Sequence, residues 1–260
     1  MSTPPDVDGT GAWGTAPEQP RPSRDEVHVW RATLRRPEAE VERLRDLLSA
    51  DELARADSFR FSRDRSDYIV ARGVLRSILG RYLRRPPERL RFVYNDYGKP
   101  DLGDAGDGVP LRFNVTHAGG VALYAVACGR EVGVDVERVR EGMDYEGIAE
   151  TFFSRREVAM LRALPAGQRT EGFFNCWTRK EAYVKALSQG LSLPLDQFDV
   201  SLAPGEPARL LSAPDGDERG SPALTLRELS PGFGYVAAVA VEGDGWRLKC
   251  WRWEALTGGE

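Results

Sequence analysis

One stretch of the sequence, from Trp177 to Gly190, most narrows what this chain can fold into, because its spacing is helical and it ends at a glycine. Its apolar residues repeat on one side of the predicted helix: Phe173, Trp177, Val184 and Leu187. Lys180 falls inside this stripe, and Glu181 and Lys185 lie along its border. Since an unpaired charge is costly to bury, three ionisable groups on the packing side of a helix mark a candidate site. A plainer interpretation is an ordinary i,i+4 helix pair of Glu181 and Lys185, worth about 0.3 to 0.5 kcal/mol, but it leaves Lys180 unexplained.

A second pattern is the strict alternation from Glu131 to Glu137. A strand there points its three valines to one face and Gly133, Asp135 and Glu137 to the other. The two carboxylates at i and i+2 have Cα atoms about 6.6 Å apart, so they repel each other unless a cation intervenes. A shared hard cation such as Mg²⁺ would relieve this repulsion. The alternative is a solvated strand face.

Two turns carry further candidate residues. Lys99 lies in a Tyr-Gly-Lys-Pro turn, and only four of the 36 basic residues are lysines. A compact ammonium on a flexible stem suits a phosphate in a way that arginine does not reproduce. Thr116 and His117 precede a Gly-Gly turn, where the backbone can approach a ligand closely. His117 is equally compatible with a hydrogen-bonded turn histidine.

The other periodicities predict a mixed α/β chain without an evident internal repeat. Strands are predicted at residues 27–34, 91–94, 111–116, 121–128, 131–137, 224–229, 235–241 and 248–253, and helices at 38–48, from 51 onward, at 63–83 and at 154–164. Ser154 and Glu157 have the spacing of a capping box. Residues 1–25 are rich in Pro, Gly, Ser and Thr and are predicted to be a disordered tail.

Composition limits the class of protein. A hydrophobic content of 41% and a charged content of 29% are typical of a soluble globular protein. The sequence has neither a long apolar run nor a signal-peptide pattern, so we expect a cytoplasmic protein without a membrane segment. The net charge of -4 argues against nucleic acid as a partner. Three scattered cysteines indicate neither a zinc site nor a disulfide framework.

Together these motifs resemble the Sfp-type 4'-phosphopantetheinyl transferases. The matching stretches cover roughly residues 60 to 200 in the expected order: Tyr97–Pro100, Phe113–His117, Gly133–Glu137, Phe152–Ser154 with Glu157, Trp177–Ala186 and Gly190–Leu195. The resemblance implies two similar α/β halves related by a pseudo-twofold, each a small, mainly antiparallel sheet packed with helices. It places the halves at residues 26–130 and 131–260, with coenzyme A in the cleft between them.

The resemblance also implies an activity: transfer of the 4'-phosphopantetheine of coenzyme A to a serine of an apo acyl or peptidyl carrier protein, with Mg²⁺ and with release of 3',5'-ADP. Such enzymes serve fatty acid, polyketide or nonribosomal peptide biosynthesis, and the two-half form is usually a monomer.

Position by position, the resemblance assigns roles to individual residues. Asp135, Glu137 and Glu181 match the magnesium carboxylates, with Glu181, directly or through a water, accepting the serine proton. The positions that match contacts to coenzyme A are Lys99, Thr116, His117, Lys180 and Lys185. Thr116 stands where serine is common, which keeps the hydroxyl. The family's basic residues near the first long helix have no secure match, and Arg72 is assigned to one of them.

Two rival functions use the same residues. A metal-dependent phosphohydrolase would employ water in place of the carrier serine, and a catalytically silent module would bind coenzyme A or the carrier without transfer. The complete set of three carboxylates and both helix lysines favours an active transferase.

Overall fold

The structure, a computed structural model, describes residues 13–96, 98–103, 110–140, 142–187, 193–213 and 223–254. Its helices are α1 (Glu38–Arg45), α2 (Ala50–Asp57), α3 (Ser62–Leu83), α4 (Tyr145–Phe152), α5 (Arg155–Ala163) and α6 (Ala166–Leu187). Its strands are β1 (Gly14–Thr15), β2 (Glu26–Thr33), β3 (Phe92–Tyr94), β4 (Pro100–Leu102), β5 (Leu111–Ala118), β6 (Val121–Cys128), β7 (Val132–Arg138), β8 (Asp199–Val200), β9 (Leu210–Ser212), β10 (Leu224–Leu229), β11 (Tyr235–Glu242) and β12 (Arg247–Arg252).

The same order of elements occurs twice. Each half has one strand, two short helices, a 22-residue helix, a short 3₁₀ turn, a small two-stranded ladder and two longer strands. In the first half β2 pairs antiparallel with β6, and β6 with β5; in the second β7 pairs antiparallel with β11, and β11 with β10. The expectation of a mixed α/β fold built from two similar halves is confirmed.

The chain's last described strand does not stay in the second half. β12 pairs parallel with β2, so it joins the sheet of the first half, whose strand order is β1-β12-β2-β6-β5. β10, β11 and β7 form the other main sheet. The division of the chain into halves at residues 26–130 and 131–260 stays a prediction. Strand β12 falls in the second of these ranges but pairs in the sheet of the first half.

Three apolar clusters hold the layers together. One lies between the five-stranded sheet and α1 to α3, and one between the three-stranded sheet and α4 to α6. The third lies between the two sheets and contains the three valines of β7. The predicted two-faced character of β7 is therefore confirmed, because the other face turns towards α6.

Two predictions from the sequence fall partly or wholly outside the described residues. Residues 1–12 of the predicted tail and the helix end at Gly190 lie outside the described residues. Trp13 Nε1 donates a hydrogen bond to Ser230 O (2.6 Å), and β1 pairs with β12. The part of the predicted tail from Trp13 onward therefore includes ordered contacts. Within the described residues, no helix combines the length and the apolar character that crossing a bilayer demands.

Candidate active site

The site lies where the two halves meet, along β5 and β7. These strands belong to different sheets but run next to each other. The side chain of Asn114 on β5 joins them, since its Oδ1 accepts a hydrogen bond from Val134 N (2.9 Å). Asn114 is buried, so its amide takes the place of a backbone partner for β7. Sequence reasoning assigned no role to Asn114, although it lies inside the Phe113–His117 motif.

Gly133 brings α6 against the acidic face of β7. A Cβ atom at Gly133 would lie 2.1 Å from Ala182 O and 2.4 Å from Ala186 N. Only the absence of a side chain permits this approach of strand and helix backbones. Asp135, two residues further along the same face, is thereby placed beside the last turns of α6.

Asp135, Thr116 and Lys185 form the centre of the site. Lys185 Nζ lies 2.5 Å from Asp135 Oδ1, and Thr116 Oγ1 donates a hydrogen bond to the same oxygen (3.1 Å). Lys185 Nζ also lies 3.5 Å from Thr116 Oγ1. Burial raises the pKa of Asp135, and the Lys185 ammonium acts in the opposite direction. Three predicted site residues from two halves of the fold are thus in direct contact.

Glu137 and Glu181 complete the acidic cluster. Burial raises the pKa of each, and the Asp135 carboxylate raises both further. Glu181 also raises the pKa of Glu137, so the three carboxylates repel one another. Among the described residues, no three acidic, histidine or cysteine side chains are gathered tightly enough to form a ready metal site. Asp135 is neutralised by Lys185 instead.

The donor set nevertheless fits a hard divalent cation. All three side chains offer carboxylate oxygens, the ligand type that Mg²⁺ takes in proteins. Asp135 Oδ2 is buried and has no hydrogen-bond partner among the described residues, which is unusual for a carboxylate oxygen. Asp135, Glu137 and Glu181 are the residues that would hold the ion.

Lys99 approaches the site from behind Lys185. Its Nζ donates hydrogen bonds to the backbone oxygens of Lys185 (2.9 Å) and Val132 (3.4 Å). Burial lowers the pKa of Lys99, and the nearby carboxylate of Glu131 raises it. The ammonium therefore connects the β3–β4 ladder of the first half to α6 and β7 of the second.

His117 is within electrostatic reach of both Lys185 and Asp67, and Asp67 lines a cavity of about 650 Å³. Partial burial and the Lys185 ammonium lower the pKa of the His117 ring, whereas the carboxylate of Asp67 raises it. The cavity is also lined by five arginines: Arg35, Arg36, Arg45, Arg63 and Arg65. Sequence reasoning missed these residues, because they are distributed over two separate segments that only the fold brings together.

Lys180 is not at the cleft, and its predicted role as a contact to coenzyme A is corrected. The side chain is fully buried and pairs with the fully buried Glu157, with Nζ 2.8 Å from Oε2. Lys180 Nζ also donates to Leu195 O (2.5 Å) and to Phe198 O. These three partners neutralise and hydrogen-bond the ammonium, so Lys180 holds the segment after α6 in place and does not contact a ligand.

Arg72 likewise serves packing inside the first half. It pairs with the buried Glu52 (Nη2 to Oε1, 2.6 Å) and donates to Tyr94 OH (2.7 Å). The neighbouring Arg76 also pairs with Glu52 (2.6 Å). The structure does not bring Arg72 into contact with the other predicted site residues, so its assignment to coenzyme A is not supported.

Two family models match the chain. The 4'-phosphopantetheinyl transferase superfamily model covers residues 131–240, and a model described as 4'-phosphopantetheinyl transferase, N-terminal, covers residues 30–129. The chain is 44% identical over 229 residues to the 4'-phosphopantetheinyl transferase HetI of Nostoc sp., and this match covers 88% of this chain and 93% of that protein. It is 31% identical over 163 residues to the 4'-phosphopantetheinyl transferase Sfp of Bacillus subtilis, which spans 63% and 70%. The holo-(acyl-carrier-protein) synthase structure from Thermotoga maritima matches 44% of this chain and 63% of that one, with 20% identity and a TM-score of 0.34.

Proposed function

This chain belongs to the 4'-phosphopantetheinyl transferase superfamily and is an enzyme of that kind, and we propose that it moves the phosphopantetheine arm of coenzyme A to a serine of an apo acyl or peptidyl carrier protein. The observation that carries this proposal is the contact of Lys185, Asp135 and Thr116 at the junction of the halves, with Glu137 and Glu181 beside it. Action as a monomer in the cytoplasm stays a prediction.

The acidic cluster is the proposed magnesium site. Lys185 pairs with Asp135 Oδ1, whereas Asp135 Oδ2 is buried with no partner among the described residues, so Oδ2 is the oxygen best placed to gain from a further cation. When bound, Mg²⁺ would supply charge neutralisation to the pyrophosphate of coenzyme A. Asp135, Glu137 and Glu181 would hold it.

The cationic side chains would then meet the donor's phosphates. Lys185 has a side chain about one-third exposed and stands at the mouth of the acidic cluster, where the pyrophosphate would lie. His117 and the cavity, whose lining has five arginines and the three acids Glu38, Glu42 and Asp67, offer a second region with an excess of positive charge for anionic groups. We propose that the 3'-phosphate end of coenzyme A extends towards His117 and this cavity. Lys99 holds the backbone behind Lys185.

The transfer itself is a displacement at phosphorus. The carrier serine oxygen forms a bond to the phosphorus nearer the pantetheine, and the bond from that phosphorus to the bridging oxygen breaks, so 3',5'-ADP departs. Glu181, directly or through a water, would take the serine proton. Lys185 stabilises the negative charge on the departing oxygen. Phosphoryl transfer needs little more from a protein than such positioning and electrostatics.

Intact-protein mass spectrometry of several apo carriers, incubated with coenzyme A and Mg²⁺, tests this function. We expect the carriers to gain the mass of phosphopantetheine with wild-type enzyme, and to gain none after addition of excess chelator. Glu181→Gln and Lys185→Ala should each lower the rate by at least about 10²-fold, as loss of a proton acceptor or of a charge-stabilising group does. Glu228→Gln is a matched control, because this half-exposed glutamate contacts α6 through Arg179.

Two results would contradict the proposal. Phosphopantetheine released into solution without a protein acceptor would identify a hydrolase. Tight coenzyme A binding with no carrier modified, across acyl and peptidyl carriers, would identify a silent binding module.

A further inference from the structure

Lys99 contacts the back of the site through two backbone oxygens. Its ammonium contacts the carbonyl of Lys185, whose side chain pairs with Asp135, and the carbonyl of Val132 at the start of β7. Lys185 lies in the last turn of the described part of α6, so Lys99 holds the end of the helix that carries the Lys185 side chain. The position of Lys99 is therefore coupled to the position of Lys185.

Glu131 lies between Lys99 and a second cation. Its Oε2 is 3.8 Å from Lys99 Nζ, and its Oε1 is 3.1 Å from Arg112 Nε. Arg112 in turn contacts Asp101 (Nη1 to Oδ2, 2.6 Å). These ion pairs form a row of four side chains with alternating charge: Asp101 of β4, Arg112 of β5, Glu131 before β7, and Lys99. The chain of ion pairs thus connects strands on both sides of the cleft and ends at α6.

Glu131 is also fixed by its own backbone. Its N–H donates to Glu242 Oε2 (3.0 Å), and its carbonyl accepts from Glu242 N (3.0 Å). The carboxylate therefore projects from an anchored segment, which limits the entropy lost when it pairs with Lys99. Without Glu131, the largely buried Lys99 ammonium would lose the carboxylate that stands between it and Arg112.

We propose that Glu131 is a positioning residue of the transferase site: by pairing with both Lys99 and Arg112, it keeps the Lys99 ammonium on the backbone oxygens of Lys185 and Val132 and so holds Lys185 towards the coenzyme A pyrophosphate. The proposal rests on the function proposed above. Glu131 makes no contact with the reacting atoms and acts through Lys99.

Loss of the carboxylate should weaken the donor's binding more than the chemical step. For Glu131→Gln we expect the KM for coenzyme A to rise about fivefold, which corresponds to the loss of about 1 kcal/mol for one partly exposed ion pair. The value of kcat should change less than KM, because the variant loosens Lys185 without removing its ammonium and leaves Asp135 and Glu181 in place. Glu131→Asp keeps the charge and should restore most of the affinity.

A double-mutant cycle separates this role from general packing. Lys99→Met alone should raise KM at least as much as Glu131→Gln, and the double variant should be no worse than Lys99→Met. Thermal unfolding of every variant verifies that it is folded. Glu228→Gln, at the Arg179 side of α6, should leave KM unchanged. Additive losses in the double variant, or an unchanged KM in Glu131→Gln and Glu131→Asp alike, would overturn the proposal.

Calorimetric titration of coenzyme A distinguishes this result from a failure of the proposed function. If wild-type enzyme modifies no carrier, the proposed function is refuted. The double-mutant cycle of Glu131→Gln and Lys99→Met is then evaluated from the dissociation constants of coenzyme A instead of from KM. A fivefold weaker Kd in Glu131→Gln that disappears in the Lys99→Met background would still support the positioning role. Equal Kd values for wild type and Glu131→Gln would reject it.

Discussion

Gly133→Ala is the substitution that most directly tests how the fold assembles the site. The new Cβ would lie 2.1 Å from Ala182 O and 2.9 Å from the Lys185 carbonyl carbon. Ordinary contacts to carbon begin at about 3.5 Å, so Ala182 O must move away from the new Cβ by about 1.4 Å. Because both obstacles are backbone atoms, no rotamer change can relieve the clash. Overpacking of this kind costs about 3 kcal/mol, and a displacement of about 1 Å at a reacting centre can cost about 10²-fold in rate.

Urea denaturation and carrier modification measure the two effects separately. We expect Gly133→Ala to unfold at a clearly lower urea concentration and, under conditions where it is still folded, to have a kcat/KM about 10²-fold below wild type. Gly167→Ala is the matched control in the same helix, since its Cβ would meet no atom within 4 Å. That variant should be unchanged or up to about 1 kcal/mol more stable. Wild-type stability and rate in Gly133→Ala would refute the close contact of β7 and α6.

Three further predictions follow from buried polar groups. Glu157→Gln should cost about 3 to 5 kcal/mol in urea denaturation, because it leaves the Lys180 charge buried without a counter-charge; an unchanged midpoint would contradict this role. Asn114→Ala should cost about 1 to 3 kcal/mol and speed hydrogen exchange at the Val134 amide, which loses its acceptor; a still-protected amide would count against the contact. Burial lowers the pKa of His28 from 6.5 to about 4. The contribution of neutral His28 to the free energy of unfolding is therefore fully present above pH 6.5 and is lost as pH falls towards 4. We expect a loss of about 2 kcal/mol between pH 7 and 5 that is absent in His28→Gln.

Local patterns predicted the elements well because their causes are local. Alternation along β7 reflects a strand with one face in the core between the sheets and the other against α6, and the described valines occupy that core. The capping box at Ser154 and Glu157 is confirmed, since both reciprocal hydrogen bonds are present. The limits of β6 and β10 agree with the predicted ranges.

The partners of charged residues were not predictable in the same way. Lys180 and Lys185 share one helix and similar neighbours, yet one meets the buried Glu157 and the other meets Asp135. The difference depends on which way each side chain leaves α6 and on what the next layer presents there. Helical spacing alone does not contain that information, so a buried structural lysine and an exposed site lysine looked equivalent in the sequence.

The repeated architecture supplies the distinction that spacing lacks. Arg76 and Lys180 are each the fifteenth residue of a 22-residue helix, and each pairs with a buried glutamate that caps the preceding short helix: Glu52 in the first half and Glu157 in the second. Each cation also donates to the carbonyls at the first residue of the following 3₁₀ turn and at the residue just after it. A charge pair present in both halves is explained by the fold they share.

Charges that occur in one half alone point instead to function. Strand pairing makes Trp30 of β2 the counterpart of Asp135 in β7, since Arg138 and Thr33 both pair with the first residue of the neighbouring strand. Trp30 is fully buried against aromatic rings, so the first half fills with apolar packing the place where the second half has a desolvated carboxylate. An acid introduced there has no counterpart in the shared architecture and raises the cost of folding. Its presence beside Lys185 and Thr116 therefore supports the role in the transfer that we propose for Asp135.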